Sequence, residues 1–246
     1  MKKVWKYCSA LMLALVLVLA SGCNPNYRPE FEYGDFICRE WGTERRAIAI
    51  KDLSEQGRQK RVLIIPEEVN GMNVGGVIDP WKWGGTSWES DKLEKVYLPQ
   101  NITVDKATFK ECVNLKIFVL QIEQPEEAFF NYVYDDIHKL YIYCQIYREF
   151  FKEETKINPA NITYYYNDGR TENYGCYWLD DVPYGSVLDV LPPEDPVSEG
   201  KTFAGWYKEP ECINAWNFET DTTPEEKVDE EGNVIYQETA LYAKWV

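Results

Sequence analysis

Apolar residues run unbroken for ten positions from Leu11 to Ala20, behind a front that carries Lys2, Lys3 and Lys6. A membrane-spanning helix needs about 20 apolar residues, so this run is too short to be one. Ala20, Ser21 and Gly22 close it with small side chains, directly before Cys23. A positive front, an apolar middle and a small-residue end predict a cleaved secretory signal over residues 1–22. Residues 23–35 are polar, with Pro25 and Pro29, and read as a spacer.

Farther along, apolar and polar positions alternate. The strings LEKVYLP from Leu93, LKIFVLQ from Leu115 and IHKLYIY from Ile137 start 22 residues apart. They superpose Val96, Phe118 and Leu140, then Leu98, Leu120 and Ile142. An earlier copy, VLIIP, sets Ile65 against Leu98 at a spacing of 33, so the first repeat carries extra residues, including WKWGGTSWES from Trp81. Alternation predicts one short strand per repeat, with one set of side chains facing inward and the other lining a parallel sheet. ATFKECVNL, with Ala107, Phe109, Cys112 and Leu115, predicts a turn of helix beneath the strand. Phe36 to Arg61 predicts a strand pair capping the first repeat, and QIYREFFKEETK from Gln145 a helical cap or linker. In the last third, ITYYY from Ile162 and ALYAKW from Ala240 alternate and are rich in β-formers. Gly232-Asn233 marks a hairpin turn.

These patterns carry three resemblances. The ending LVLASGC resembles a bacterial lipobox, which implies cleavage before Cys23 and lipid attachment to that cysteine. IPEEVNG from Ile65 and YLPQNITVDKATFKECVNLK from Tyr97 resemble the BspA-type leucine-rich repeat of bacterial surface proteins. The order ITYYYNDG, VPYGSVL, KTFAGWY and ALYAKWV resembles the Listeria–Bacteroides repeat, carried by Tyr164, Gly169, Gly205, Trp206, Tyr207, Tyr242 and Trp245 among others. That family implies a small β-grasp-like fold, a four-stranded mixed sheet crossed by one short helix or loop. The expected fold class is α+β and β-rich: a leucine-rich-repeat solenoid over residues 36–155, then a β-grasp-like domain over 158–246.

Composition narrows the partners. The formal charge is −15, and loss of the signal's three lysines takes it to −18. Such a field repels nucleic acid and anionic lipid head groups. The 18 Tyr, 9 Trp and 10 Phe supply enough apolar surface for packed cores. Of seven cysteines, Cys8 leaves with the signal and Cys23 takes the lipid. The remaining five lack CxxC spacing, so no zinc site is expected; Cys176 and Cys212 could pair or stay as thiols.

Candidate chemistry is sparse. His138 is the single histidine, and no nucleophile, zincin or phosphate-loop motif is present. Asp229 to Gly232 and Asp180-Asp181 are acidic but form no complete calcium loop. No cofactor, metal or catalytic residue is expected. Trp81, Trp83 and Trp88 are the candidate ligand-contact residues, since tryptophan concentrates interface energy; the alternative is that their rings seal the open end of the solenoid. The expectation is a non-enzymatic lipoprotein outside a bacterial cytoplasmic membrane, adhering to an extracellular protein or glycan. The alternatives are a carbohydrate-binding lipoprotein of a polysaccharide uptake system, and an envelope hydrolase working through paired carboxylates.

Overall fold

The structure is a computed structural model and describes residues 28–42, 46–77, 87–99, 102–104, 108–121, 141–144 and 157–246. The signal over 1–22, Cys23, Trp81, Trp83, Ala107, His138 and the stretch 145–156 lie outside the described residues.

The first strands are β1 (Glu30–Tyr33), β2 (Phe36–Trp41), β3 (Ala47–Leu53), β4 (Val62–Ile64), β5 (Glu68–Val69) and β6 (Met72–Val77). Next come β7 (Lys95–Leu98), β8 (Thr103–Val104), β9 (Ile117–Leu120), β10 (Tyr141–Cys144) and β11 (Ile157–Pro159). The last are β12 (Ile162–Tyr165), β13 (Cys176–Asp180), β14 (Phe203–Tyr207) and β15 (Thr239–Trp245). Among the described residues there is no α-helix, only two short 3-10 turns. The protein is β-rich, and the helical part of the expected α+β class is not seen among these residues.

Three sheets form. The first runs β1-β2-β3-β6-β5, with β8 on β6. The antiparallel β2–β3 pair is the strand pair expected between Phe36 and Arg61, and β1 adds Glu30–Tyr33 to it from within the stretch read as spacer. The β5–β6 hairpin turns on Asn70-Gly71, where both residues have positive φ (53° and 74°). That is the conformation a two-residue hairpin demands, and Asn-Gly adopts it with least strain.

The second sheet runs β11-β10-β9-β7-β4 and is parallel throughout. Val96 pairs with Phe118 and Leu98 with Leu120, as the repeat alignment requires. The third copy is shifted: Ile142, not Leu140, lies opposite Phe118. A slip of two residues keeps inward side chains inward, which is why alternation alone could not fix it. Beneath the strands, Phe109, Cys112 and Leu115 are buried as expected. They are held there by successive hydrogen-bonded turns, Cys112 N–H to Phe109 O and Leu115 N–H to Cys112 O, in place of the expected helix.

The third sheet runs β13-β12-β15-β14 and is mixed, with β12 parallel to β15 and the other pairs antiparallel. β12 and β15 are the strands that alternation predicted at ITYYY and ALYAKW, whereas Cys176 and Trp178, expected in a long loop after Gly169, lie in β13. Gly205 sits at φ +110° beside an irregularity in the β14–β15 register, and a Cβ there would meet nothing within 4 Å. The glycine therefore serves backbone conformation.

Two cores result. Leu63, Val96, Leu98, Phe118 and Leu120 point from the parallel sheet into the first, together with residues of the first sheet. Tyr97 and Val119 point the other way, with Val62, Ile64 and Ile117 beside them, and pack on Ile162, Tyr164, Trp178, Leu179 and Leu241 of the C-terminal module. Both faces of β4, β7 and β9 are thus covered, the usual condition for parallel strands. Asn161 precedes β12 as a strand start. It is buried, with its side-chain amide exchanging hydrogen bonds with the N–H and C=O of Val182.

Candidate functional site

The outer face of β7 places Lys95 and Tyr97 two residues apart on one side of the strand, facing the end of β13. Lys95 Nζ donates to Asp180 Oδ1 and, at 2.7 Å, to the carbonyl of Asp181. The Tyr97 hydroxyl donates to the same Oδ1 at 2.6 Å, and the Asp181 N–H does so at 2.6 Å. Asp180 is fully buried. Burial pushes its carboxyl above the usual range, against the opposing pull of Lys95, Tyr97 and the Asp181 N–H. Burial, and then Asp180, push the Tyr97 phenol far up, so it stays a donor. The Tyr97 ring also stacks on Trp178, with centroids 5.2 Å apart.

One residue past β9, Gln121 completes the junction. Its amide accepts from Leu179 N–H at 2.7 Å and donates to Leu179 O at 2.8 Å. A side-chain amide has a peptide's donor and acceptor, so Gln121 occupies the open edge of β13 as a neighbouring strand would.

Beside this junction lies a cleft of ≈ 660 Å³, to which Glu67 and Gln121 come from the first module and the other walls from the C-terminal one. Arg170 lines it and is held by several contacts. The guanidinium carbon lies 3.4 Å from the centroid of the Tyr166 ring. Nε meets both Asp168 carboxylate oxygens at 2.9 and 3.0 Å, and Nη2 donates to Val197 O at 3.0 Å. This pairing holds the Asp168 carboxyl well below the usual carboxylate range. Tyr177 sets its edge against Tyr166 at 4.9 Å and donates its hydroxyl to Glu194 O at 2.6 Å. Cys176 also lines the cleft, its thiol pushed up to about 12 by burial. Such a thiol stays protonated and is a poor nucleophile.

The sequence-derived candidates fare differently. Trp88 is corrected: it is fully buried, 5.2 Å from Phe109 and 6.2 Å from Phe36, with Nε1 donating to Lys51 O at 3.0 Å. Its ring is core and has no face open to a ligand. Trp81 and Trp83 lie outside the described residues. Cys176 and Cys212 are free thiols, as are Cys38 and Cys112. Asp180, weighed for calcium, binds Lys95 instead. Asp229 accepts from the N–H groups of Glu231 and Asn233 and shapes the turn at Gly232. Lys95, Gln121 and Arg170 were not singled out in the sequence. A lysine in an otherwise apolar alternating strand was the signal available for the first.

These features describe a β-rich protein of two packed modules, with a shared core and a cleft at their seam. Comparison with known families agrees for the second module: residues 161–244 match the Listeria-Bacteroides repeat domain, a surface-associated repeat of bacterial proteins. Two curated proteins of Evansella cellulosilytica are similar to part of the chain. One, named "Putative membrane protein", is 36% identical over 66 residues, covering 26% of this chain and 8% of that protein. The other, named "Putative Gly-rich membrane protein", is 34% identical over 65 residues, covering 26% and 6%. The chain thus spans under a tenth of the length of the relatives it matches. No solved structure matches. The repeat domain and these relatives associate the chain with the bacterial envelope.

Proposed function

We propose that this chain is a lipid-anchored, non-enzymatic binding protein of the bacterial cell surface, adhering to an extracellular protein or glycan. Cleavage before Cys23 and acylation of that residue tether it, since two or more acyl chains hold far more firmly than one. Residues 36–155 form a BspA-type leucine-rich-repeat domain, and residues 158–246 a β-grasp-like domain. The observation that carries the reading is the surface-associated repeat domain at residues 161–244, downstream of the lipobox-like string LVLASGC. The parallel period of 22 residues between Val96 and Phe118 supports the leucine-rich assignment.

The test is fractionation of a bacterial host expressing the chain. Wild-type protein partitions with membranes and incorporates labelled fatty acid, and Cys23→Ala abolishes both. Cells displaying the wild type then retain host matrix proteins or glycans on an array above cells expressing Cys23→Ala. Soluble, unlabelled wild-type protein would overturn the anchor, and equal retention by both cell types would overturn adhesion.

A further inference from the structure

Lys95 and Asp180 meet across the seam of the two modules, 85 positions apart in the chain. Neither is open to water: their side chains are 11% and 1% exposed. Tyr97, Tyr164 and Trp178 of the same core are buried, and Lys95 Nζ lies 4.9 Å from the centroid of the Tyr97 ring. An ion pair in such a place carries the desolvation cost of two charges, which neutral groups avoid.

The hydrogen bonds around Asp180 are one-sided. Oδ1 takes all of them, from Lys95 Nζ, from the Tyr97 hydroxyl at 2.6 Å and from the Asp181 N–H at 2.6 Å. Oδ2 is buried and has no hydrogen-bond partner among the described residues. As an ion pair the site thus leaves one carboxylate oxygen unmet, which costs free energy. As an amide between the two side chains it leaves none. Oδ1 becomes the amide carbonyl, with the Tyr97 hydroxyl and the Asp181 N–H already donating to it. The new N–H has the Asp181 carbonyl as acceptor, which Lys95 Nζ already meets at 2.7 Å. Oδ2, the unmet atom, is the one that departs.

We infer that Lys95 and Asp180 join in an intramolecular amide, a covalent strap between β7 and β13 that ties the two modules together. The ammonium first passes a proton to Oδ2, which leaves a neutral amine beside a carboxylic acid. Burial favours this exchange, because it pushes the Asp180 carboxyl above its usual range. The nitrogen lone pair then bonds to Asp180 Cγ, and negative charge gathers on Oδ1, against the Tyr97 and Asp181 donors. The Cγ–Oδ2 bond breaks, and its electron pair leaves on Oδ2, which takes one proton from the nitrogen and departs as water. One ammonium and one carboxylate become one amide and one water, with no redox change and no further reactant. The folded core holds the two groups in contact, and such fixed proximity speeds a reaction that is slow between free molecules. The strap goes beyond the surface reading and depends on neither the anchor nor adhesion.

The test is peptide mapping of the full chain, purified in detergent and checked for a cooperative melt. Trypsin should release residues 93–106 and 171–201 as one branched peptide, short of the sum of the two by one water. Fragmentation should place the branch at Lys95 and Asp180. Lys95→Arg and Asp180→Ala should each abolish it. Tyr97→Phe keeps the ring and removes one Oδ1 donor, so in a pulse-labelled time course the branch should form at least about tenfold more slowly. A rate equal to that of the wild type would overturn the role given to Tyr97. Cleavage after Lys95 in the folded wild type, with a linear peptide carrying Asp180, would overturn the strap itself. So would loss of water within 171–201 alone, which an aspartate closing on its own backbone gives. The wild-type map decides the matter even where a variant fails to fold.

Discussion

Trp88 closes the first core between Phe36 and Phe109, so truncating it removes a fully buried ring and a hydrogen bond together. Trp88→Ala should lower unfolding free energy by about 3–5 kcal/mol in urea titrations, without changing ligand retention per folded molecule. At the junction, Lys95→Met would leave Asp180 buried without its cation and should cost about 3–5 kcal/mol. Adding Asp180→Leu should restore much of that loss, because burying a charge pair is itself costly. The thiols give a reactivity map. Burial pushes Cys38, Cys112 and Cys176 up to about 12, while Cys212 is only half-buried. Among these four, maleimide at pH 7 should label Cys212 and spare the three buried thiols until urea is added. Asp168 sets an acid limb: its folded carboxyl is depressed below its unfolded value, chiefly by the Arg170 hydrogen bond. The clasp therefore stabilises the fold above about pH 4 and is lost as pH falls further. Melting temperature followed from pH 5 to pH 2 should fall more steeply for wild type than for Asp168→Asn.

At the scale of strands, the sequence was most legible where period and burial coincide. β7 and β9 came out in register because Val96 with Phe118 and Leu98 with Leu120 are all inward and apolar. β12 and β15 were legible from alternation and β-formers. The offset of β10 was not, since Leu140 and Ile142 are equally apolar and two positions apart, so an alternating pattern fits either register. The helix expected after Thr108 failed because its apolar spacing is met equally well by consecutive turns. Trp88 was misassigned because three nearby indoles look alike in a string, although one of them is core. The junction was the least legible part. Lys95, Asp180 and Gln121 are polar residues whose partners lie 58 to 85 positions away, and no local pattern marks such a pairing. Gln121→Ala tests the edge pairing: it leaves both backbone groups of Leu179 unmatched and should cost about 1–3 kcal/mol. Hydrogen exchange at the Leu179 amide should rise at the same time.

Across the whole molecule, covering both faces of β4, β7 and β9 makes the two modules one body. Val62, Ile64, Tyr97, Ile117 and Val119 would face water if the C-terminal module were detached, and Asp180 would lose Lys95 and Tyr97. The face that a repeat sheet would offer to a partner is thus occupied by the chain's own second module. Urea unfolding followed by hydrogen exchange, reading peptides from β7 and β9 against peptides from β12 and β15, tests this union most directly. A single transition with one midpoint in both sets, moved together by Lys95→Met, is the expected result. Separate midpoints, with β12 and β15 opening while β7 and β9 stay protected, would contradict it.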